Sequence, residues 1–168
     1  MECKPIILCF EEIYDKFAKR YNFPHCDYII WNKKEDFLYF VECTSYARKD
    51  IWGNVDKRKR EIIEIVRKAF GSLLITTAFQ EAIRLEYVED FPDVGKDYRN
   101  NRNFVIVADI PGDIGGDAWR VFDEMNEEIR QFIKSFYQNI VFVVYPCKDC
   151  DVQQDISLQD QEWINKLI

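Results

Sequence analysis

The chain has 168 residues, of which 48% are hydrophobic, 15% aromatic and 32% charged. This length is typical of one domain, and the composition excludes a disordered or fibrous protein. The formal net charge of −7 disfavours a protein that coats nucleic acid with its whole surface, although a local basic patch is still compatible with DNA binding. We therefore treat residues 1–168 as a single domain.

The chain shows no sign of membrane insertion or secretion. Its apolar stretches, such as "NIVFVVYP", are far shorter than the roughly 20 residues that cross a bilayer, and "MECKPIILCFEE" reaches acidic residues too early for a signal peptide. Most of the six cysteines lie in apolar contexts, where reduced thiols are usual. Cys147 and Cys150 form the one CxxC, and a bound metal, a disulfide or two plain thiols all remain open there. We expect a cytoplasmic protein.

The first half of the chain predicts a helix, a hairpin and a second helix. Apolar residues recur every three or four positions over 6–21, which is typical of an amphipathic helix. Residues 26–32 and 37–45 are β-branched and aromatic runs joined by the polar "NKKED", which favours two antiparallel strands. Asn54 is a plausible N-cap for a helix over 55–70.

After this helix, Gly71 is a natural stop and "LLITTAF" predicts another strand. Residues 80–103 lack a clear period and predict an irregular surface segment. The strand "NFVIVADI", a helix over 117–137 and the strand "NIVFVVYP" then predict a parallel crossover unit. The expected order is α-β-β-α-β-β-α-β, an α/β or α+β domain with a mixed sheet flanked by helices.

Two acids of the hairpin are candidates for a metal site. Glu42 and Thr44 are two positions apart on one strand and therefore share a face, and Asp27 at the head of the preceding strand should lie nearly opposite Glu42. Two carboxylates about 4 Å apart repel by roughly 4 kcal/mol at an effective dielectric constant near 20. Such a pair calls for a shared proton or a cation, and hard oxygen ligands at an open site suit Mg²⁺ or Mn²⁺. Without metal, Glu42→Gln is then expected to be no less stable than the parent.

The pattern "CDYIIWNKKEDFLYFVECT" resembles the PD-(D/E)xK nuclease superfamily, which includes restriction endonucleases and archaeal Holliday-junction resolvases. The resemblance rests on an Asp at the head of one hairpin strand and Glu-x-Thr at the tail of the next. It covers residues 6–78, which would form a restriction-endonuclease-like core, while 79–168 would add a strand-helix-strand half. The motif is short and degenerate.

The resemblance also implies roles for single residues. Asp27, Glu42 and the Cys43 carbonyl would hold the divalent cation, and Glu11 is an acid on the preceding helix. Thr44 stands where the family has a catalytic lysine. In that superfamily the lysine sometimes migrates, and Lys49, Lys57 or Lys59 are candidates to replace it.

The run "DKRKRE" places four consecutive cations near the start of a predicted helix, where the helix dipole favours acids instead. Lys57, Arg58 and Arg60 are candidates for phosphate contacts with DNA. The alternative is a solvated helix face, with pairs such as Arg60 and Glu64.

Other polar residues have plainer explanations. Asp109, Asp113 and Asp117 fit a strand end, a turn and a helix N-cap, and the single His25 is more typical of a loop than of a general base.

Two functions therefore remain open. The first is a metal-dependent nuclease, or a DNA-binding protein derived from one, with a homodimer as one option. The second is a non-enzymatic interaction or assembly protein that keeps a degenerate nuclease-like fold.

Overall fold

The computed structural model describes residues 5–46, 51–94, 101–111 and 116–147. The elements are, in chain order, β1 (Ile6–Cys9), α1 (Phe10–Ile13), β2 (Tyr28–Asn32), β3 (Phe37–Ser45), α2 (Val55–Glu86), β4 (Arg102–Pro111), α3 (Gly116–Ile133) and β5 (Asn139–Cys147). A π-helical turn (Tyr14–Ala18) and a 3₁₀ turn (Lys19–Tyr21) continue α1.

The five strands form one mixed sheet with the spatial order β1-β2-β3-β4-β5. The first three strands are antiparallel neighbours, whereas β4 runs parallel to β3 and β5 runs parallel to β4. The predicted hairpin, the last two strands and the parallel crossover through α3 are confirmed. Because β2 runs antiparallel to the other strands, its amino end lies at the same end of the sheet as the carboxyl ends of β3 and β4.

The larger hydrophobic cluster lies on one face of the sheet, and all three α-helices contribute to it. Phe40 and Phe104 come from the sheet, Ile65 from α2 and Ile129 from α3, and all are 0–1% exposed. A smaller cluster on the opposite face contains Val41 and Val105 among others. Within the described residues, no helix is both long and apolar enough to cross a membrane.

The predicted helix end at Gly71 and the predicted strand "LLITTAF" are wrong. Instead, α2 continues to Glu86 with a kink at Phe79 (φ −115°, ψ 15°), because buried positions recur at helical spacing through this region: Ile62, Ile65, Ala69, Ser72, Thr76 and Ile83. Thr76 and Thr77 each donate a hydroxyl hydrogen bond, 2.8 Å long, to the carbonyl four residues earlier, which suits β-branched residues to this helix. The N-cap is as predicted, since Asn54 Oδ1 accepts from the backbone N–H of Lys57 at 3.0 Å.

The predicted helix over 6–21 is correct only from Phe10 onward. Residues 6–9 form β1, which pairs with β2 in the register Ile6 opposite Trp31. The sheet edge supplies partners for this segment, and the Phe10 N–H then bonds to the Asp27 carbonyl at 2.8 Å. The observed order is thus β-α-β-β-α-β-α-β rather than α-β-β-α-β-β-α-β.

Candidate functional site

Asp27 lies at the amino end of β2 and is tied to β3 by two bonds. Its backbone N–H donates to the Val41 carbonyl at 2.9 Å, and its Oδ2 accepts from the Cys43 N–H at 2.6 Å. The register of the two strands ends at Tyr28 opposite Val41, and Asp27 lies in the bend just before β2, beside Val41 and Cys43. The side chain therefore sits where the antiparallel ladder of β2 and β3 ends.

Glu42 points to the face of the sheet that the helices cover. Ile29 opposes Phe40, and both belong to the cluster under the helices. Glu42 lies two positions after Phe40 in β3 and therefore points to that face as well, and Asp27, just before β2, is close enough for its charge to act on Lys68. Asp27 is partly exposed, whereas Glu42 is only 3% exposed, so one carboxylate reaches solvent and the other enters the core.

The residue that meets Glu42 is Lys68, from the middle of α2. Its Nζ lies 2.6 Å from Glu42 Oε1, and its side chain is 27% exposed. Burial by itself lowers the pKa of Lys68, but the charge and hydrogen bond of Glu42, together with smaller contributions from the charges of Asp27 and Glu64, outweigh it, so the pKa is raised. The ammonium thus supplies the positive charge that two converging carboxylates require.

A third acid, Glu61, lies seven residues, or about two helical turns, before Lys68 in α2. The Thr44 hydroxyl donates to Glu61 Oε1 at 3.3 Å. Tyr46 is fully buried beside the same acids, and burial, followed by the charges of Glu61 and Glu42, raises its pKa well above the usual value. The motif position of Thr44 is therefore engaged with α2 and does not point away from the site.

The turn of α2 that follows Lys68 packs against the segment that leads into Asp27. Gly71 packs so closely on this segment that a Cβ there would lie 1.8 Å from the Pro24 carbonyl oxygen. Ser72 Oγ accepts from the buried Cys26 N–H at 2.7 Å. One helix thus fixes both the ammonium at Glu42 and the backbone just before Asp27.

The Cys43 backbone faces the end of β2. Its N–H donates to Asp27. In a strand the N–H and C=O of one residue point to the same side, so the Cys43 carbonyl is directed toward the end of β2 too. The thiol itself lies on the opposite sheet face, where burial raises its pKa. The backbone, and not the sulfur, belongs to the candidate site.

Glu11 is located beside His25 and not between the two hairpin acids. Its Oε2 lies 3.3 Å from His25 Nε2, and its side chain is 64% exposed. The imidazole stacks on Phe10 with a centroid distance of 5.3 Å, contacts Tyr14 at 4.3 Å, and its Nδ1 lies 3.1 Å from the Cys26 carbonyl. This pair packs α1 against the loop that precedes Asp27.

The basic residues at the start of α2 divide into two kinds. Arg58 is partly buried, and its guanidinium bonds to the carbonyls of Ile51 and Trp52 at 3.4 and 3.1 Å. Lys57 and Arg60 are exposed. Arg58 therefore has a structural function in shaping the loop before α2, and the other two are better placed for an external anion.

Several predicted residues lie outside the described part of the chain. These are Lys49, Asp113 and Cys150, and the side chains of Asp109 and Cys147. Asp117 is in the first turn of α3. In the described segments, no group of three or more His, Cys, Asp or Glu side chains is arranged to hold a metal ion.

Sequence analysis missed Lys68 and Glu61. The available signal was helical spacing, since Glu61 and Lys68 are seven residues apart and so lie on one face of a helix that must cover β3. Lys59, suggested as a replacement for the motif lysine, is exposed. No family model, curated protein or solved structure matches this chain.

Proposed function

We propose that this protein is a metal-dependent nuclease of the PD-(D/E)xK type that hydrolyses phosphodiester bonds in DNA. The observation that carries the proposal is the contact of 2.6 Å between Lys68 Nζ and Glu42 Oε1, at the end of the sheet where Asp27 Oδ2 accepts from the Cys43 N–H. Two carboxylates and one ammonium come together at this place. Asp27 lies just before β2, Glu42 is near the end of β3, and Lys68 comes from α2.

The strand arrangement supports a restriction-endonuclease-like core. The two predicted motif acids belong to adjacent antiparallel strands, and α2 begins after β3 and returns across the same sheet face before β4. This connection brings a helix over the acids, as the resemblance requires. The additional β1 and the second crossover through α3 extend this core at both sheet edges.

The residues fit a small divalent cation. Mg²⁺ is commonly held by one or two carboxylates and retains several waters, so Asp27, Glu42 and the Cys43 carbonyl would suffice without a third acid. Bound there, Mg²⁺ or Mn²⁺ would stabilise the charge that develops on the phosphate and assist ionisation of the attacking water. Asp27 would bind the cation from the solvent side, and Glu42 would bind it from the core side.

In our proposal, Lys68 has the role of the catalytic lysine of the family, which Thr44 cannot perform. A threonine hydroxyl carries no charge, whereas the Lys68 ammonium can turn from Glu42 to donate to the attacking water or to a phosphate oxygen. Water adds its oxygen to phosphorus and gives up one proton, the bond from phosphorus to the leaving oxygen breaks, and the leaving oxygen takes up a proton, so that one water is consumed overall. A lysine positioned over the acids favours this displacement by holding the water and by neutralising charge.

Cleavage and metal binding test the proposal together. Purified protein with Mn²⁺ or Mg²⁺ should cut DNA, and Asp27→Asn, Glu42→Gln and Lys68→Met should each reduce the rate by at least 100-fold. Lys134→Met is the matched control, because Lys134 is an exposed lysine just after α3. Mn²⁺ should also raise the melting temperature of the parent but not of Asp27→Asn. Cleavage that is unaffected by Lys68→Met would disprove the assigned role.

The second candidate is a non-enzymatic interaction or assembly protein with the same fold. The favouring observation is that the polar groups already satisfy one another: Lys68 neutralises Glu42, and Thr44 bonds to Glu61. Under this alternative the parent shows no cleavage and no rise in melting temperature with Mn²⁺, while Lys68→Met lowers stability.

A further inference from the structure

A cluster of aromatic rings lies on the surface where α1 and its following turns meet the second half of α2. We call it the aromatic surface and define it by four residues: Phe17, Tyr21, Phe23 and Phe79. Tyr21 and Phe23 are 45% and 39% exposed, unlike the rings of the core. Their planes are 15° apart with centroids at 6.1 Å, and Phe17 and Phe79 are stacked in the same manner at 5.9 Å and 19°.

Tyr21 joins the two stacked pairs, since its centroid lies 6.3 Å from that of Phe79. Asn22 then adopts a left-handed conformation with φ of 51°, which ends the 3₁₀ turn and directs the chain to Phe23. The surface is therefore a continuous set of rings held by local backbone geometry, and two of its members face solvent.

Cations surround these rings. The Arg20 guanidinium lies over Tyr21 at 4.7 Å from the centroid, and its terminal nitrogen contacts the Tyr21 hydroxyl. Lys16 Nζ is 5.7 Å from the Phe17 centroid. Lys16 and Lys19 pair with Glu86 and Asp15, but Arg20 has no carboxylate partner among the residues that the structure describes.

We propose that the aromatic surface binds single-stranded nucleic acid by stacking unpaired bases on Tyr21 and Phe23, with Arg20 at the phosphate. Exposed rings next to a guanidinium are the usual components of single-strand binding, because every base offers a π-face and every nucleotide a negative charge. Bases within a duplex are already stacked on each other, so the surface should prefer single strands. This inference rests on the proposed nuclease function and specifies its substrate.

The aromatic surface is connected to the candidate site along α2. Lys68, Ser72, Ile75 and Phe79 follow one another at spacings of three and four, on one side of the helix. From Lys68 to Phe79 is 11 residues, or about 16 Å at 1.5 Å per residue. Phe79 is the far end of the aromatic surface, so at 3.4 Å per stacked nucleotide this distance is an upper limit of about five nucleotides between Lys68 and a base stacked on Tyr21 or Phe23.

A short segment that packs on α2 also connects the aromatic surface to Asp27. Phe23 lies beside Gly71, where its Cβ would be 3.7 Å from an added Cβ, and Pro24 to Cys26 then lead directly to Asp27. A strand stacked on Tyr21 and Phe23 would thus be held at a set distance from the hairpin acids. Cleavage should occur within about five nucleotides of the stacked base.

Binding is measured without cleavage, in EDTA, using a single-stranded oligonucleotide that carries one 2-aminopurine, and the matching duplex. We expect the single strand to bind more tightly, with 2-aminopurine fluorescence quenched when the base stacks on a ring. Tyr21→Leu keeps an apolar side chain but removes the ring, and should weaken binding by about tenfold. Arg20→Gln should reduce both the affinity and its salt dependence. Phe132→Ala, on the exposed face of α3, is the control and should change neither quantity.

The outcomes separate this inference from the proposed function. Asp27→Asn should abolish the Mn²⁺-dependent rise in melting temperature and leave oligonucleotide binding in EDTA intact. Binding that depends on Tyr21 would support the surface even if no DNA were cleaved. Equal affinity for single strand and duplex, or Tyr21→Leu with parental affinity, would overturn the inference. So would a dimer in solution that Tyr21→Leu converts to a monomer, because the rings would then be a contact between copies of the chain.

Discussion

The ammonium of Lys68 lies 2.6 Å from Glu42 Oε1, and this pair joins the middle of α2 to the end of β3 beneath the helix layer. The two partners differ in their access to water: Glu42 is 3% exposed, whereas the Lys68 side chain is 27% exposed. Removing the charge of Glu42 should therefore change the free energy of unfolding by a different amount from removing the charge of Lys68.

Glu42→Gln should lower the free energy of unfolding by about 1–3 kcal/mol, because it removes the anionic partner of a largely buried ammonium. This replaces the expectation of an unchanged or higher stability, which considered only repulsion between Asp27 and Glu42. Lys68→Met should cost more, since the carboxylate left behind is farther from water. Urea denaturation of both single variants and of the double variant gives the coupling energy.

A coupling energy below about 0.5 kcal/mol would show that the pair does not act as a unit in solution. The matched control is Arg67→Met, since Arg67 is 62% exposed and lies 3.8 Å from Glu64 in an i, i+3 pair on the same helix. A surface pair of this kind is worth little, so the control should stay near the parent in stability.

The same pair predicts a loss of stability at alkaline pH. The pKa of Lys68 is raised above its usual value of 10.5 in the folded protein. The folded state therefore holds this proton more tightly than the unfolded chain, so the contribution is complete below about pH 10.5 and disappears as the pH rises through the folded pKa. Melting temperatures between pH 8 and 11.5 should fall for the parent.

Buried tyrosines contribute in the same direction, since burial also raises the pKa of Tyr46 and Tyr137. The informative quantity is consequently the difference between variants. The curve for Lys68→Met should be flatter above pH 10 than that for the parent, and Lys134→Met should follow the parent. Parallel parent and Lys68→Met curves would contradict the shift assigned to Lys68.

The sequence was sufficient to predict the hairpin and the last two buried strands, because each depends on local residue patterns or on a short connection. It was insufficient for the region after Gly71. Leu73 to Phe79 are rich in β-branched and apolar residues that suit a strand, and only the burial of one side against the sheet makes them helical. Tertiary contacts decide such segments, and propensity does not.

The same limitation applies to the cation of the site. Lys68 is 26 positions from Glu42, and its approach depends on the angle and position of α2 on the sheet. Candidates nearer in sequence, such as Lys57 and Lys59, lie on exposed parts of the first turns. Once α2 is known to run past Gly71, the bond between Ser72 and Cys26 fixes its position along the sheet, and Lys68 becomes the cation at Glu42.

Tyr137→Phe should lower the free energy of unfolding by about 1 kcal/mol. The Tyr137 hydroxyl donates to the Ala69 carbonyl at 2.6 Å, in a setting that is 1% exposed, and the ring packs on Phe40 and Phe104. Phenylalanine keeps the ring contacts and removes the hydrogen bond alone. Tyr14→Phe is the control, since its hydroxyl lies 3.4 Å from the Lys19 carbonyl at the surface. Equal melting temperatures for the two variants would show that the buried bond contributes nothing.

Gly71→Ala should be among the most damaging small substitutions in the chain. The added Cβ would lie 1.8 Å from the Pro24 carbonyl oxygen and 3.0 Å from the Pro24 carbonyl carbon, and backbone atoms cannot rotate away as a side chain can. Either α2 or the segment before Asp27 must move, which we expect to cost about 3 kcal/mol. This exceeds the gain of about 1 kcal/mol that alanine brings to a helix interior.

Gly53→Ala is the matched control, because nothing lies within 4 Å of the Cβ it would add. It should melt within a degree or two of the parent. Gly71→Ala should melt much lower, and in the folded fraction the displaced segment should move Asp27 away from Glu42 and weaken any Mn²⁺-dependent rise in melting temperature. A Gly71→Ala protein as stable as Gly53→Ala would mean that α2 does not pack this closely on Pro24, and the placement of Lys68 over the acids would lose its support.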